Sequence, residues 1–287
     1  MKVAVMTDTN SGISVSEGAA LGLYVLPMPV LIDGKTYYEG INLSPEQFYS
    51  SLQAGRDVST SQPSPGDVLA MWDSALETCD ELVYIPMSSG LSASYHTAVM
   101  LSQDYEGRVQ VADHHSVSVP MRFAVLDALE RAQAGWSAIQ IKGALEQIAK
   151  DTMIYIGVDT LKYLKKGGRI TPAAAAMGTL LQIKPLLKIE GEKLDAFAKV
   201  RGTLACKQRL IHEMRSYVEA YRQTCYPFVI GAAGTFENQA DSLEWIKMTQ
   251  EAFPEYEIRY DPLAVSIGAH IGPGAFGMGI SRRLPVS

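Results

Sequence analysis

Cysteine is scarce in this chain and badly spaced for either of its structural uses. Cys79, Cys206 and Cys225 are the only three. They are odd in number with no C-x-x-C or C-x-x-H spacing, so neither a disulfide framework nor a zinc cluster is indicated and a reducing cytoplasm is the simplest setting. Long apolar runs are missing as well. Pro27, Pro29, Lys184 and Pro185 break the nearest candidates, which argues against a membrane-spanning helix or stable membrane insertion. MKVAVMTDTN at the start has too few apolar residues before Asp8 for a signal peptide and reads as a first strand. There is no excess of basic residues: the formal net charge of −6 argues against nucleic acid as the main partner. No Walker loop, H-E-x-x-H motif, internal repeat or low-complexity segment is present.

What remains is an ordinary soluble composition, 47% hydrophobic and 20% charged, over a length that suggests two compact α/β units. We place them at 1–150 and 151–287, the first a Rossmann-like three-layer α/β/α unit with a parallel sheet, the second an α/β unit with a mixed sheet. The anchor of the first is ELVYIPMSSGLSASY from Glu81 to Tyr95. Its apolar half is short and rich in Val, Tyr and Ile, as a central strand covered on both faces should be. It then stops at a cluster of serines and a glycine, and Tyr95, Val99 and Leu101 continue near helical spacing. Strand ends in open α/β sheets and helix amino termini both favour anionic ligands, which makes Ser88 to Ser94 a candidate anion site, with helix capping by Ser92 or a neighbour as the alternative.

Along the rest of the chain, Lys2 to Met6 is a strand ending at Asp8, which either lines the same cleft or forms a turn. Val25 to Ile32 and Thr36 to Glu39 read as strands about an Asp33-Gly34 hairpin turn. Ser44-Pro45-Glu46-Gln47 and Ser64-Pro65-Gly66-Asp67 start helices, so Ser64 is a cap. Ser59, Thr60, Ser61 and Gln62 have no helix of their own to cap and are freer to face a ligand. Arg108 to Ala112 is a strand closing on Asp113, His114, His115 and Ser116, where adjacent histidines point apart and favour a loop over a metal site. Helices follow over Val117 to Ala134 and, behind a Ser137/Gln140 capping box, Ala138 to Lys150. In the second half we expect a strand from Met153 to Val158, a small-residue helix from Ala173 to Leu181 and a hairpin about Gly191. Helices are expected over Thr203 to Gln223 and Glu237 to Phe253 about a strand from Phe228 to Ala232, with closing strands over Tyr256 to Tyr260 and Val265 to Ile271.

Two motifs can be tested against the chemistry they suggest. Gly272, Gly274 and Gly277 have the G-x-G-x-x-G spacing, but a dinucleotide site needs a following helix, a further strand and an acidic residue, and only ten residues remain. Ser92 between a strand and a helix, with Asp261 and His270 downstream, supplies the order of a serine hydrolase triad, yet the nucleophile elbow needs Gly where Ser94 stands. A ligand site for a charged head asks instead for hydroxyls and a His or Arg converging above apolar walls. Thr60, Ser61, Ser92, Arg169 and His270 can supply it, since a buried carboxylate must be hydrogen-bonded or paired.

Several motifs together carry a family resemblance over nearly the whole chain: VLPMPVLIDGK from Val25, TSQPS from Thr60, SSGLS from Ser88, YLKKGGRI from Tyr163, IKPLL from Ile183, VRG from Val200 and HIGPGAFG from His270. Each alone is weak, but the set resembles the DegV family of fatty-acid-binding proteins. The resemblance implies a two-domain α/β protein that holds one long-chain fatty acid in a tunnel with its carboxylate near the domain interface. By motif position it assigns the head group to Thr60, Ser61, Ser92, Arg169 and His270. It also implies a carrier with no catalysis or further cofactor of its own, whose better-understood relatives hand the acyl chain to a separate fatty acid kinase. Where family members often read SSGLSGT, this chain has Ala93 and Ser94, and the usual aspartate-serine pair after the first strand is Asp8-Thr9.

Overall fold

The computed structural model describes residues 1–177, 183–190 and 193–285. In the N-terminal part the elements run β1 (Val3–Asp8), a 3-10 turn (Thr9–Ser11), α1 (Val15–Leu21), β2 (Tyr24–Leu26), β3 (Pro29–Ile32), β4 (Lys35–Tyr38), α2 (Pro45–Gln53), β5 (Val58–Thr60), α3 (Pro65–Leu76), β6 (Glu81–Ile85), α4 (Ser94–Ser102), β7 (Val109–Val111), α5 (Ser118–Gln133) and α6 (Ala138–Ile148). The C-terminal part continues with β8 (Thr152–Gly157), α7 (Lys162–Gly167), α8 (Pro172–Ala175), β9 (Ile183–Ile189), β10 (Asp195–Arg201), α9 (Thr203–Arg222), β11 (Phe228–Gly234), α10 (Gln239–Ala252), β12 (Arg259–Pro262), α11 (Val265–Ile271) and β13 (Phe276–Arg282).

The first sheet has the order β2-β1-β6-β7 and is parallel throughout. Its strands are apolar on both faces, as a doubly covered sheet requires. Val3, Val5, Val83 and Ile85 face α5 and α6, while Ala4, Met6, Leu82 and Tyr84 face α3 and α4. This is the expected three-layer α/β/α arrangement. The second sheet, order β10-β9-β8-β13-β11-β12, is mixed: only β11 and β12 run parallel. One of its faces packs on α9 and α10 through Leu210, Met214 and Trp245. On the other, Ile154, Ile156, Leu187 and Ile189 gather with Leu91 and Val117 of the N-terminal part.

Local signals fall where the residues place them. Ser44/Gln47 and Ser137/Gln140 form complete capping boxes, and Ser64 caps α3 by accepting from the Asp67 N–H. Asp33 and Gly34 join β3 to β4 with positive φ values of 48° and 77°, the left-handed pair that a two-residue hairpin demands.

Two expectations need correction. Val25 to Ile32 is two strands, because Pro27 and Pro29 have no N–H for a ladder: β2 stays in the parallel sheet, while β3 enters a separate three-stranded sheet, β4-β3-β5, that also takes in Val58–Thr60. Val265 to Ile271 is the helix α11. A short apolar run does not distinguish strand from buried helix by period, and here Val265 and Ala269, one turn apart, pack together with Phe48. The closing strand is instead the glycine-rich Phe276–Arg282, inserted between β8 and β11. The expected helix beyond Met177 and the turn at Gly191 lie outside the described residues.

Close approach explains Gly231 of β11 and Gly279 of β13. A Cβ on Gly231 would lie 2.0 Å from Val119 Cγ1, and one on Gly279 would lie 2.5 Å from Pro120 Cγ. The first turn of α5 is thus wedged against the second sheet. Gly231→Ala is expected to lower stability by about 1–3 kcal/mol through overpacking, and pairing it with Val119→Ala, which removes the nearest atom, to recover part of that loss. Urea unfolding midpoints of the single and double variants check this. A neutral Gly231→Ala would show that the contact yields freely.

An ion cluster joins the two parts at the same end of α5. The Arg122 guanidinium donates to Glu17 Oε1 and Oε2 at 2.6 and 2.9 Å and to the Gly12 carbonyl at 2.6 Å, and its Nε lies 2.7 Å from Asp261 Oδ2. Arg259 reaches the other Asp261 oxygen at 2.9 Å. At the far end of the chain, the Arg283 side chain and the Leu284 N–H both engage the buried Asp127 of α5.

Candidate functional site

Between the second sheet and the loops at the strand ends of the first lies a narrow cavity, with about 100 Å³ open to the centre of a water-sized sphere. Its walls are apolar: Met28 and Met87 from the N-terminal part, Ile154, Ile156 and Ile189 from the second sheet, and the Val119–Pro120 wedge. The glycines Gly231, Gly277 and Gly279 form part of the lining, so backbone as well as aliphatic side chains faces the space. Thr60, Ser61, Ser92, Arg169 and His270, expected to form one head-group site, all line this cavity.

Each is carried by a different local device. Thr60 ends β5, whose pairing to β3 fixes it opposite Val30. Ser92 belongs to the turn after β6, which folds on itself through N–H groups of Leu91 and Ser92 donating to the Ser88 carbonyl at 3.0 and 3.1 Å. The Asp8 carboxylate braces that turn, accepting from the N–H groups of Met87 and Asn10, both at 2.9 Å. Burial pushes the Asp8 pKa up to about 6. Of the two readings of Asp8 the turn is the one observed: it is not among the residues lining the cavity, but it braces the turn that carries Ser92. Ser92 does not occupy the cap position of α4; its Oγ lies 2.7 Å from Ser94 Oγ and accepts from the Ser94 N–H at 3.2 Å. The departure at Ser94 thus adds a hydroxyl directly behind Ser92.

Arg169 follows the Gly167-Gly168 break and reaches back across the cavity mouth, its Nε donating to the Leu91 carbonyl at 3.3 Å and its NH1 to the Gly167 carbonyl. Gly168, with φ of 69°, makes this turn. His270 lies on α11 with Nε2 2.7 Å from Thr60 Oγ1. Its ring sits so close to Gly167 that a Cβ there would fall 2.2 Å from Nδ1. Burial, with a further contribution from Arg169, lowers the His270 pKa to about 4, so the imidazole is neutral near pH 7 and Arg169 is the fixed positive charge.

The order Ser92, Asp261, His270 is not assembled as a relay. Asp261 is engaged by Arg122 and Arg259, His270 by Thr60, and Ser92 by Ser94. Asp113, His114 and His115 form a loop in which Asp113 Oδ1 accepts from the N–H groups of His115 and Ser89, and His114 Nδ1 pairs with Ser116 Oγ at 2.8 Å. Among the described residues no group of three or more His, Cys, Asp or Glu is placed to hold a metal ion, and no helix is long and apolar enough to cross a membrane.

Sequence reasoning missed Asn10 and Ser266, which also line the cavity, as does Gln62, expected to be free to face a ligand. Gln62 Oε1 accepts from the Thr97 hydroxyl at 3.1 Å, fixing the loop that carries Ser61. Ser266 precedes His270 by one helical turn, a spacing that would have flagged it had α11 been read as a helix.

The family model described as DegV matches residues 2–283. The chain belongs to the DegV family. A DegV domain-containing protein of Deinococcus radiodurans is 34% identical over 281 residues, 98% of each chain. Two solved DegV structures superpose over nearly the whole fold. One, from Thermus thermophilus and described as a fatty-acid-binding DegV family protein, shares 27% identity at a TM-score of 0.86, covering 98% of this chain and 100% of its own. The other, DegV of Bacillus subtilis, described as a fatty acid binding protein, shares 26% identity at a TM-score of 0.85, covering 99% and 100%. The parallel sheet in the N-terminal part and the mixed sheet in the C-terminal part are thus DegV architecture.

Proposed function

We propose that this DegV protein is a cytoplasmic carrier that holds one long-chain fatty acid, its acyl chain in the cavity and its carboxylate at Thr60, Ser61, Ser92, Arg169 and His270. The observation that carries the reading is the convergence of those five side chains, from four separate segments, on one cavity whose lining is mostly apolar. Fatty acid binding named for the two solved relatives points the same way.

The chemistry follows from the hydrogen bonds. With His270 neutral and its Nε2–H donating to Thr60 Oγ1, the Thr60 hydroxyl proton is free to point at an anion. Ser92, backed by Ser94, can do the same. Arg169 supplies a positive charge, and a buried carboxylate is tolerated only with such partners. Burying each methylene is worth roughly 0.8 kcal/mol, so a long chain offers on the order of 10 kcal/mol before ordering and association costs. Cargo is therefore retained through purification. With the carboxylate at the cavity edge, between units we place at 1–150 and 151–287, a fatty acid kinase can reach it to form the acyl phosphate, while this chain acts as carrier and not as enzyme.

Native mass spectrometry followed by denaturing lipid extraction tests the reading. A single fatty acid at near-unit occupancy is expected, and Ser61→Ala with Ser92→Ala should weaken uptake in a fluorescent fatty-acid displacement assay about 10- to 100-fold, as loss of hydrogen bonds to a charged group implies. An empty protein that refuses added fatty acids would overturn the reading; unchanged affinity in the double variant would overturn the site.

A further inference from the structure

We propose that the amino terminus of α5, together with the Ser118 hydroxyl, is a second anion station inside the cavity, so that long-chain α,ω-dicarboxylic acids are a further class of cargo. The inference rests on the reading of the cavity as a fatty acid site.

Val117, Ser118, Val119 and Pro120 all line the cavity, and the 16-residue helix α5 begins at Ser118. The first N–H groups of a helix have no partner within it and carry the positive end of its dipole. A capping side chain or an acid in the first turn commonly answers them. α5 has neither: no side chain caps it, and its first turn holds no acidic residue. Pro120 has no N–H, so the amino end presents those of Ser118 and Val119. Beside them stands a side chain with nothing to do. Ser118 is only 8% exposed, it faces the cavity, and its hydroxyl has no hydrogen-bond partner among the described residues. Buried donors ordinarily find an acceptor, and a helix amino terminus receives a carboxylate readily. A hydrocarbon chain offers these groups nothing. Among the described residues no Asp or Glu lines the cavity, so a second carboxylate meets no like charge from its walls.

Position keeps this station apart from the head-group site. Val119 and Pro120 press on Gly231 and Gly279, which pair across β11 and β13. Ala233 and Gly277 pair two residues further along the same strands, about 7 Å away. Beyond them come Thr235 and the Gly272 carbonyl that it binds, at the end of α11 that carries His270. A carboxylate at Thr60 and His270 therefore leaves the α5 terminus to meet a later part of the chain. An acid ionised at both ends satisfies both sets of donors.

The test measures displacement of a fluorescent fatty acid from the full chain by matched pairs of acids of increasing length, each pair a monocarboxylic acid and the α,ω-dicarboxylic acid with the same number of carbons. At one length or more, the diacid is expected to bind within about tenfold of its monoacid. Ser118→Gly removes the hydroxyl at a residue whose φ of 59° suits glycine. It should shift the diacid-to-monoacid affinity ratio at that length against the diacid by about tenfold or more, as loss of a hydrogen bond to a charged group implies. Ser118→Ala should shift the ratio the same way, and reads it if the glycine variant does not fold. The proposal is overturned if every diacid binds more than about tenfold more weakly than its monoacid in the unaltered protein. It is equally overturned if the ratio is unmoved in the Ser118 variants, as it would be were the hydroxyl part of the head-group site. A protein that binds monoacids but rejects every diacid defeats this inference alone; one that binds neither kind defeats the fatty acid reading as well.

Discussion

Arg122→Ala is expected to remove about 3–5 kcal/mol of folding stability, as the breaking of a buried ion pair does. The Arg122 side chain is only 4% exposed and Asp261 only 5%, so deleting the cation leaves a carboxylate with no route to solvent and only the half-exposed Arg259 beside it. Glu17 and the Gly12 carbonyl lose their donors in the same step. Because these partners come from α1, the turn before it, α5 and β12, the loss acts on the junction of the two sheets. Urea unfolding should show the large shift for Arg122→Ala and a change within about 1 kcal/mol for Arg209→Ala, whose partner Glu213 is an i,i+4 neighbour on the α9 surface. Equal effects would mean that the cluster is no stronger than an exposed pair. Asp261→Asn should likewise lower stability, which separates this aspartate from any catalytic role.

The second large effect is loss of stability in acid. His114 and His270 both have pKa values lowered to about 4, chiefly by burial, against about 6.5 in the unfolded chain. Between pH 6.5 and pH 4 the unfolded chain binds protons that the folded protein refuses. Stability from the two neutral imidazoles is therefore full above pH 6.5 and falls as pH drops through that window, by about 3 kcal/mol each. Asp8 opposes them. Its pKa, raised from 3.8 to about 6, makes the folded protein take a proton first, so acidification from pH 6 towards pH 4 returns about 3 kcal/mol. For these three groups together the expectation is a loss of about 3 kcal/mol between pH 6.5 and pH 4. Urea midpoints across this range should fall more steeply in Asp8→Asn and less steeply in His114→Asn. An unchanged slope in both variants would refute the assignment.

Most of the site was legible because its hydroxyls lacked local employment. Thr60 and Ser61 have no helix to cap, Ser92 sits just past a buried strand, and Arg169 follows two glycines. What could not be read was how distant segments meet. VSIGAHI suits a strand as well as a helix until Phe48 arrives to pack on Val265 and Ala269. FGMGISR looks too glycine-rich for a central strand until Pro120 and the Tyr155 carbonyl are seen pressing on Gly279 and Gly277. Asn10 follows a strand, where asparagine ordinarily makes a turn. Its place in the cavity depends on Ser266, more than 250 positions away, and no local pattern encodes that meeting. Asp261 and His270 follow Ser92 in the order of a triad, but chain order says nothing about which partner each residue meets: Asp261 meets Arg122 and Arg259, and His270 meets Thr60.

The cavity has a bearing on the life of the protein as a whole. Its walls are drawn from the second sheet, the end of β5, the loops after the strands of the first sheet, α11 and the wedge of α5, so an acyl chain placed there would complete a hydrophobic core that the polypeptide leaves unfinished. Cargo then acts as mortar: any ligand that binds only the folded form stabilises it in proportion to the logarithm of its free concentration over Kd. On the proposed reading, a molecule without its lipid would be looser than one that holds it, and proteolysis would sample the looser form first. Loaded and spent copies would thus differ in lifespan, and the amount of this protein in a cell would follow its lipid supply without any change in its synthesis.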